Sequence, residues 1–259
     1  MSSSRLALPN AASILPDLAA FAVGLGCARL LQWNTTDLVW SLWLSSLVLG
    51  YLSILSVIAK GLYIGGVVVS NEGFPAQYRG PALLIGLGAA AFVLMFFSMH
   101  FCGFHAVHGS ILSGFFPLSG MPKAALGRGF INPIPLWQDA FHYVMPKYGI
   151  FLIPVAIAER RVLLGPFSGL VHAGRFNSIE SIGPLLQASG ASAHGLFTRP
   201  YANVIRMHVL IFFFAICHAL KIDSFPVYVV VYSVYFFPWS ALRKGADNQP
   251  AADNPPAVS

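Results

Sequence analysis

The chain has 259 residues, of which 56% are hydrophobic and 9% charged, against roughly 25% charged in a soluble domain. Fifteen Lys and Arg with nine Asp and Glu are too few to clothe a water-soluble fold of this size, and the same composition excludes a disordered chain. The net charge of +6 therefore reads as an orientation signal on the loops of a polytopic membrane protein rather than as a nucleic-acid-binding patch.

A membrane-crossing helix needs about 20 mostly apolar residues, and six stretches qualify as spans: 12–31, 38–59, 82–116, 136–158, 203–220 and 226–242. The first carries Asp17 near its start and Arg29 near its end; its interruption by Pro16 and Asp17, with no Ala-x-Ala site, does not resemble a cleaved signal peptide. The second is rich in Leu, Ser and Trp and is closed by Lys60, after which a Gly-rich stretch and Asn71-Glu72-Gly73 read as a loop. The third opens at Pro81, a favourable first-turn residue, and stays apolar to Phe116. It is either one long tilted helix or two pieces broken near Gly103 or Gly109.

Residues 117–135 read as loop, punctuated by Gly120, Pro122, Gly127, Gly129 and Pro133. In the fourth span Asp139, His142, Pro146, Lys147 and Pro154 predict a short amphipathic helix to Met145 and an apolar helix from Tyr148, joined by a kink. Residues 159–200 are the longest polar segment and are expected to hold interfacial helices. The domain thus runs over 1–245, followed by a small, polar, Pro-rich tail, 246–259, expected to be disordered.

With the N-terminus inside, ten basic residues (Arg5, Lys60, Arg79, Arg160, Arg161, Arg175, Arg199, Arg206, Arg243, Lys244) fall on the inner side. Four (Arg29, Lys123, Arg128, Lys221) fall outside, and Lys147 lies within a span. The bias favours an all-α bundle of six transmembrane helices with both termini cytoplasmic.

Chemistry-bearing residues are few. Cys27, Cys102 and Cys217 sit singly in apolar runs and form no CxxC pair. Two histidine groups stand out: His100, His105 and His108 in one apolar run, and His208 with Cys217-His218 in another. Ionisable residues in membrane helices are expensive and face the bundle interior. On a helix His105 and His108 lie about 60° and 4.5 Å apart, close enough for one ion. His100 and His108 are expected on a shared face but about 12 Å apart, and His208 and His218 are separated by about 15 Å.

A site therefore needs two helices, and His108 with His208 is the favoured pair, joined by His105 or His100. Three readings compete. Two imidazoles could clamp haem b axially. Three could hold a transition metal, Zn, Cu or Fe, with an open position. Titrating imidazoles could relay protons. Against all three stands the reading in which these histidines only hydrogen-bond neighbouring helices; no HExxH string is present. Asp139 and His142, three residues apart, share a helix face and are expected to pair.

Leu42-Trp43-Leu44 and Leu47-Val48-Leu49-Gly50, His100-Phe101-Cys102-Gly103 with Val107-His108-Gly109, and Pro200-Tyr201 followed by Val204, His208 and Val209 resemble an uncharacterised bacterial multi-pass inner-membrane family, number six-four-nine-eight among the domains of unknown function. The resemblance implies a membrane helix bundle and favours His100, His108 and His208 over His105, which stands where that family carries an apolar residue. Ser45-Ser46 departs from the family's Glu-Asn. The family brings no reaction with it, so the catalytic residues stay unassigned.

Two functions follow as expectations. One is a multi-pass bacterial inner-membrane protein with a histidine site, cofactor-binding at His108, His208 and His100 and metal-binding through His100, His105, His108 and His208. The other is a membrane scaffold or accessory subunit with structural histidines. The expected partners are the lipid bilayer and membrane-protein subunits, with no nucleic acid.

Overall fold

A computed structural model describes residues 11–160, 163–164, 205, 209–210, 212–222 and 225–236. The described residues are helical, with no strand among them. Of the segment 159–200 expected to hold interfacial helices, residues 161–162 and 165–200 lie outside the described residues, as do the tail 246–259 and His208.

Helix α1 spans Ala11–Leu30, α2 Thr35–Ser70 and α3 Ala76–Phe115. α2 starts where Asn34 and Asp37 close a capping box: the Asn34 side chain accepts from Asp37 N at 3.2 Å and Asp37 Oδ2 accepts from Asn34 N at 3.0 Å. It does not stop at Lys60. It runs through Gly61, Gly65 and Gly66 to Ser70, because Ile64 and Val69 bury themselves and packing outweighs the poor helix propensity of glycine. α3 is one uninterrupted helix of 40 residues, with Pro81 inside it. Gly103 and Gly109 do not break it; they are where neighbouring groups come close.

The stretch after α3 turns at Gly120, whose φ of +80° only glycine adopts without strain. It then makes a 3₁₀ turn, Leu126–Gly129. The fourth segment is a chain of short pieces: α4 Pro133–Asp139, a π-turn Ala140–Val144, α5 Met145–Tyr148, a 3₁₀ turn Gly149–Phe151 and α6 Leu152–Ala158. The expected kink is real and takes this form because Pro146 and Pro154 have no N–H to give to the carbonyl four residues back. α7 spans Phe225–Phe236.

Among the described residues, three helical stretches are long and apolar enough to cross a membrane: Thr35–Ser70, Ala76–Phe115 and Pro133–Ala158. The core lies where the first half of α2 meets the second half of α3 and the fourth segment, around Trp40, Trp43, Phe97, Phe101, Tyr148 and Phe151. α1 packs on α6 and α7, with Phe21 stacked on Tyr232 at 5.1 Å between ring centroids.

Candidate functional site: the histidine seam between α2 and α3

The antiparallel register of α2 on α3 is set by polar groups that each find one partner. Trp40 Nε1 donates to Phe116 O at 2.8 Å and Trp43 Nε1 to His105 O at 3.0 Å. Less than a turn past Trp43, Ser46 Oγ lies 3.2 Å from His105 Nε2, and about two turns past it Tyr51 Oη lies 3.2 Å from Cys102 Sγ. Glycines admit the large rings. A Cβ on Gly50 would stand 2.2 Å from Phe101 Cζ, and one on Gly109 2.7 Å from Leu126 Cδ1 and 3.3 Å from Trp43 Cζ2.

His105 sits at the centre of this seam, 0% exposed. Its Nδ1 is 3.0 Å from Phe101 O. A carbonyl only accepts, so Nδ1 carries the proton; in the neutral ring Nε2 is then the acceptor and Ser46 donates to it. Both nitrogens are engaged. A serine donating to an imidazole is also how a nucleophile is activated. Here the pair is shut in, with the Phe101 ring 4.3 Å and the Trp43 ring 6.1 Å from that of His105. Ser46 is itself buried. The arrangement binds two helices together and leaves no room for a substrate.

His108 is also buried, at 1% exposure, with its ring edge-on to His105 at 6.2 Å. His100 is elsewhere. It stands on the exposed side of α3, stacked on Phe96 at 5.7 Å and edge-on to Phe104 at 5.0 Å. The expectation that His100 and His108 share a face fails: eight residues leave them about 80° apart around the axis, which puts His108 among the buried residues of α3 and His100 just past Phe97, on the exposed side. The structure thus brings His105 and His108 together and sets His100 apart. His208 lies outside the described residues, so the distance from His108 to His208 does too. His218 edges onto Phe115 and Phe116 at 5.8 and 5.6 Å. Among the described residues no three of His, Cys, Asp and Glu are placed to hold a metal ion.

Among the described residues, Asp17, Asp37 and Asp139 are committed to structure. Asp139 does not pair with His142. It takes both Arg128 contacts, at 2.8 and 3.0 Å, because the π-turn starting at Ala140 changes the angular step that would have aligned the pair. His142 is exposed against Tyr143. Asp17 pairs with Arg160.

Sequence reasoning missed Asp37. Its carboxylate, 6% exposed, accepts from Tyr148 Oη at 2.9 Å and pairs with Lys147 Nζ at 2.8 Å, while Trp33 packs edge-on against Tyr148 at 5.7 Å. The signal was there: Asn34-x-x-Asp37 ahead of an apolar run is a helix-start signature. Ser41, Ser45 and Ser110 spend their hydroxyls on carbonyls of their own helices, at 2.6–2.9 Å.

Residues 5–135 match a family described only as a family of unknown function, DUF6498. The chain belongs to that family. The match takes in α1, α2, α3 and the seam with His100, His105 and His108, while the later motif around His208 falls outside it. No curated protein and no solved structure matches the chain.

Proposed function

We propose that this member of the family is a multi-pass protein of the bacterial inner membrane that works as a scaffold or accessory subunit, with the seam histidines holding its helices in register. One observation carries this reading: His105 is fully buried and both its nitrogens are already used, by Phe101 O and by Ser46 Oγ. A ligand to iron or zinc needs a free lone pair, and the lone pair of His105 is turned to a hydroxyl. The three long apolar helices and the basic-residue bias support six spans with both termini cytoplasmic. A reporter fused after Lys244 tests this: cytoplasmic activity is the expected result, and a periplasmic signal removes or adds a span.

A second reading keeps His108 as the inner half of a two-helix site with His208, for haem b or a transition metal, with His100 beyond it. Burial of a second imidazole beside His105 favours it. Single substitutions separate the two. Under the scaffold reading His108→Ala and His208→Ala change stability alone; loss of one bound metal or chromophore by both variants establishes the shared site.

A further inference from the structure

We infer that the cleft at the C-terminal end of α2 binds an ammonium group joined to an apolar body, carried by a membrane lipid or by a free amphiphilic amine. The inference goes beyond the scaffold reading and does not depend on the seam histidines. The cleft follows the last turns of α2 and the turn after them, lined by Leu62, Tyr63, Val67, Ser70, Asn71 and Glu72, and has a volume of about 790 Å³. Ligand sites run from about 300 to 1,000 Å³.

Glu72 gives the cleft its sign. Asp17, Asp37 and Asp139 each hold a cation, whereas Glu72 is exposed and makes no ion pair among the described residues. Arg79, the nearest cation in sequence, turns Nη2 to Asn71 O at 3.0 Å and Phe74 O at 3.5 Å instead. The last turn of α2 carries no basic residue, so its terminal carbonyls add to the carboxylate, and both favour a cation. Glu72 is also held in place. Asn71 Oδ1 accepts from Gly73 N at 3.0 Å and Asn71 O accepts from Phe74 N at 3.0 Å, which closes a tight turn with Glu72 at its corner.

The rest of the lining selects the kind of cation. One carboxylate and one serine hydroxyl fall well short of the roughly six to eight oxygens that Ca²⁺ takes. An ammonium asks for less: its N–H groups can donate to Glu72 and to Ser70 Oγ. The other end of the cleft, about 10 Å back along the axis, is apolar. Leu62 and the ring of Tyr63 stand 37% and 43% exposed there, with Val67 between them and the polar end. An inorganic cation leaves that surface unused, and an amphiphilic ammonium covers it. A lipid meets the two ends in the same order, with its headgroup at the turn and its chain along the helix.

The test uses the full-length protein in lipid nanodiscs. In one arm the bilayer holds equal parts of phosphatidylethanolamine and phosphatidylglycerol, and native mass spectrometry reads which lipid is retained on release. In the other the bilayer is phosphatidylglycerol alone, and hexylammonium is titrated in by calorimetry against empty discs. Preferential retention of phosphatidylethanolamine assigns the cleft to a lipid; hexylammonium binding without that preference assigns it to a free amine. In either case Glu72→Gln should weaken the bound ammonium at least threefold and leave the helical circular dichroism unchanged. Should Glu72→Gln fail to fold, Tyr63→Ala decides, with a loss of binding expected from its missing apolar wall. Binding of neither ammonium, or unaltered binding by the folded variant, overturns the inference.

Discussion

Ser46→Ala and His105→Leu, singly and together, measure the seam most closely. Leucine keeps the bulk of the ring against Phe101 and Trp43 and removes both polar contacts of His105, at 3.0 and 3.2 Å. Phe101 O keeps its helix bond, so the loss is two hydrogen bonds at about 0.5–1.5 kcal/mol each, or about 1–3 kcal/mol for His105→Leu. Ser46→Ala removes only the shared bond. Interhelical hydrogen bonds measured in membrane proteins average about 0.6 kcal/mol and reach about 1.7, which sets the expected coupling in the double-mutant cycle. Detergent-solubilised protein unfolded by titrating in SDS, and followed by tryptophan fluorescence, reads this directly, since Trp40 and Trp43 are fully buried at the seam. A coupling below about 0.3 kcal/mol, inside the error of additive sites, would refute the assignment of Ser46 and His105 as one clamp.

Two α3 glycines give a matched pair. Gly109→Ala forces a methyl against Leu126 and Trp43 and should cost about 1–3 kcal/mol, while Gly114→Ala, where a Cβ meets nothing within 4 Å, should be neutral or stabilise by up to about 1 kcal/mol; thermal unfolding of the two variants side by side checks the contrast. Asp37→Ala removes the first-turn cap of α2 and the acceptor of Tyr148, and should lower stability by about 2–4 kcal/mol. Arg128→Ala leaves the buried Asp139 carboxylate without its two contacts and should cost about 1–3 kcal/mol; a larger loss than in Asp37→Ala would show that the Asp37 node is not the stronger tie.

Composition and length made the all-helical, apolar character of the chain legible, and Pro146 with Pro154 announced the broken fourth segment. The ends of α2 and α3 were not legible, because propensity argues locally: Lys60 and the glycines look like a stop, and only the burial of Ile64 and Val69 against a partner helix shows why the helix continues. The histidines were visible as a cluster but not as a site. Spacing along one helix fixes angles between side chains, and it does not say that Ser46, 59 residues away, supplies the partner that engages His105. The same limit hid Asp37, whose partners Lys147 and Tyr148 come from a distant segment, and gave Asp139 to His142 when the π-turn gave it to Arg128. What sequence could supply there was the capping-box spelling of Asn34 and Asp37.

Structural histidines in the α2–α3 seam leave no site for a metal or haem. Protein purified from its native membrane and examined by absorbance spectroscopy together with elemental analysis should show no Soret band and no stoichiometric Zn, Cu or Fe. A Soret band, or one equivalent of metal that His108→Ala removes from a chain that remains folded, would contradict the structural reading.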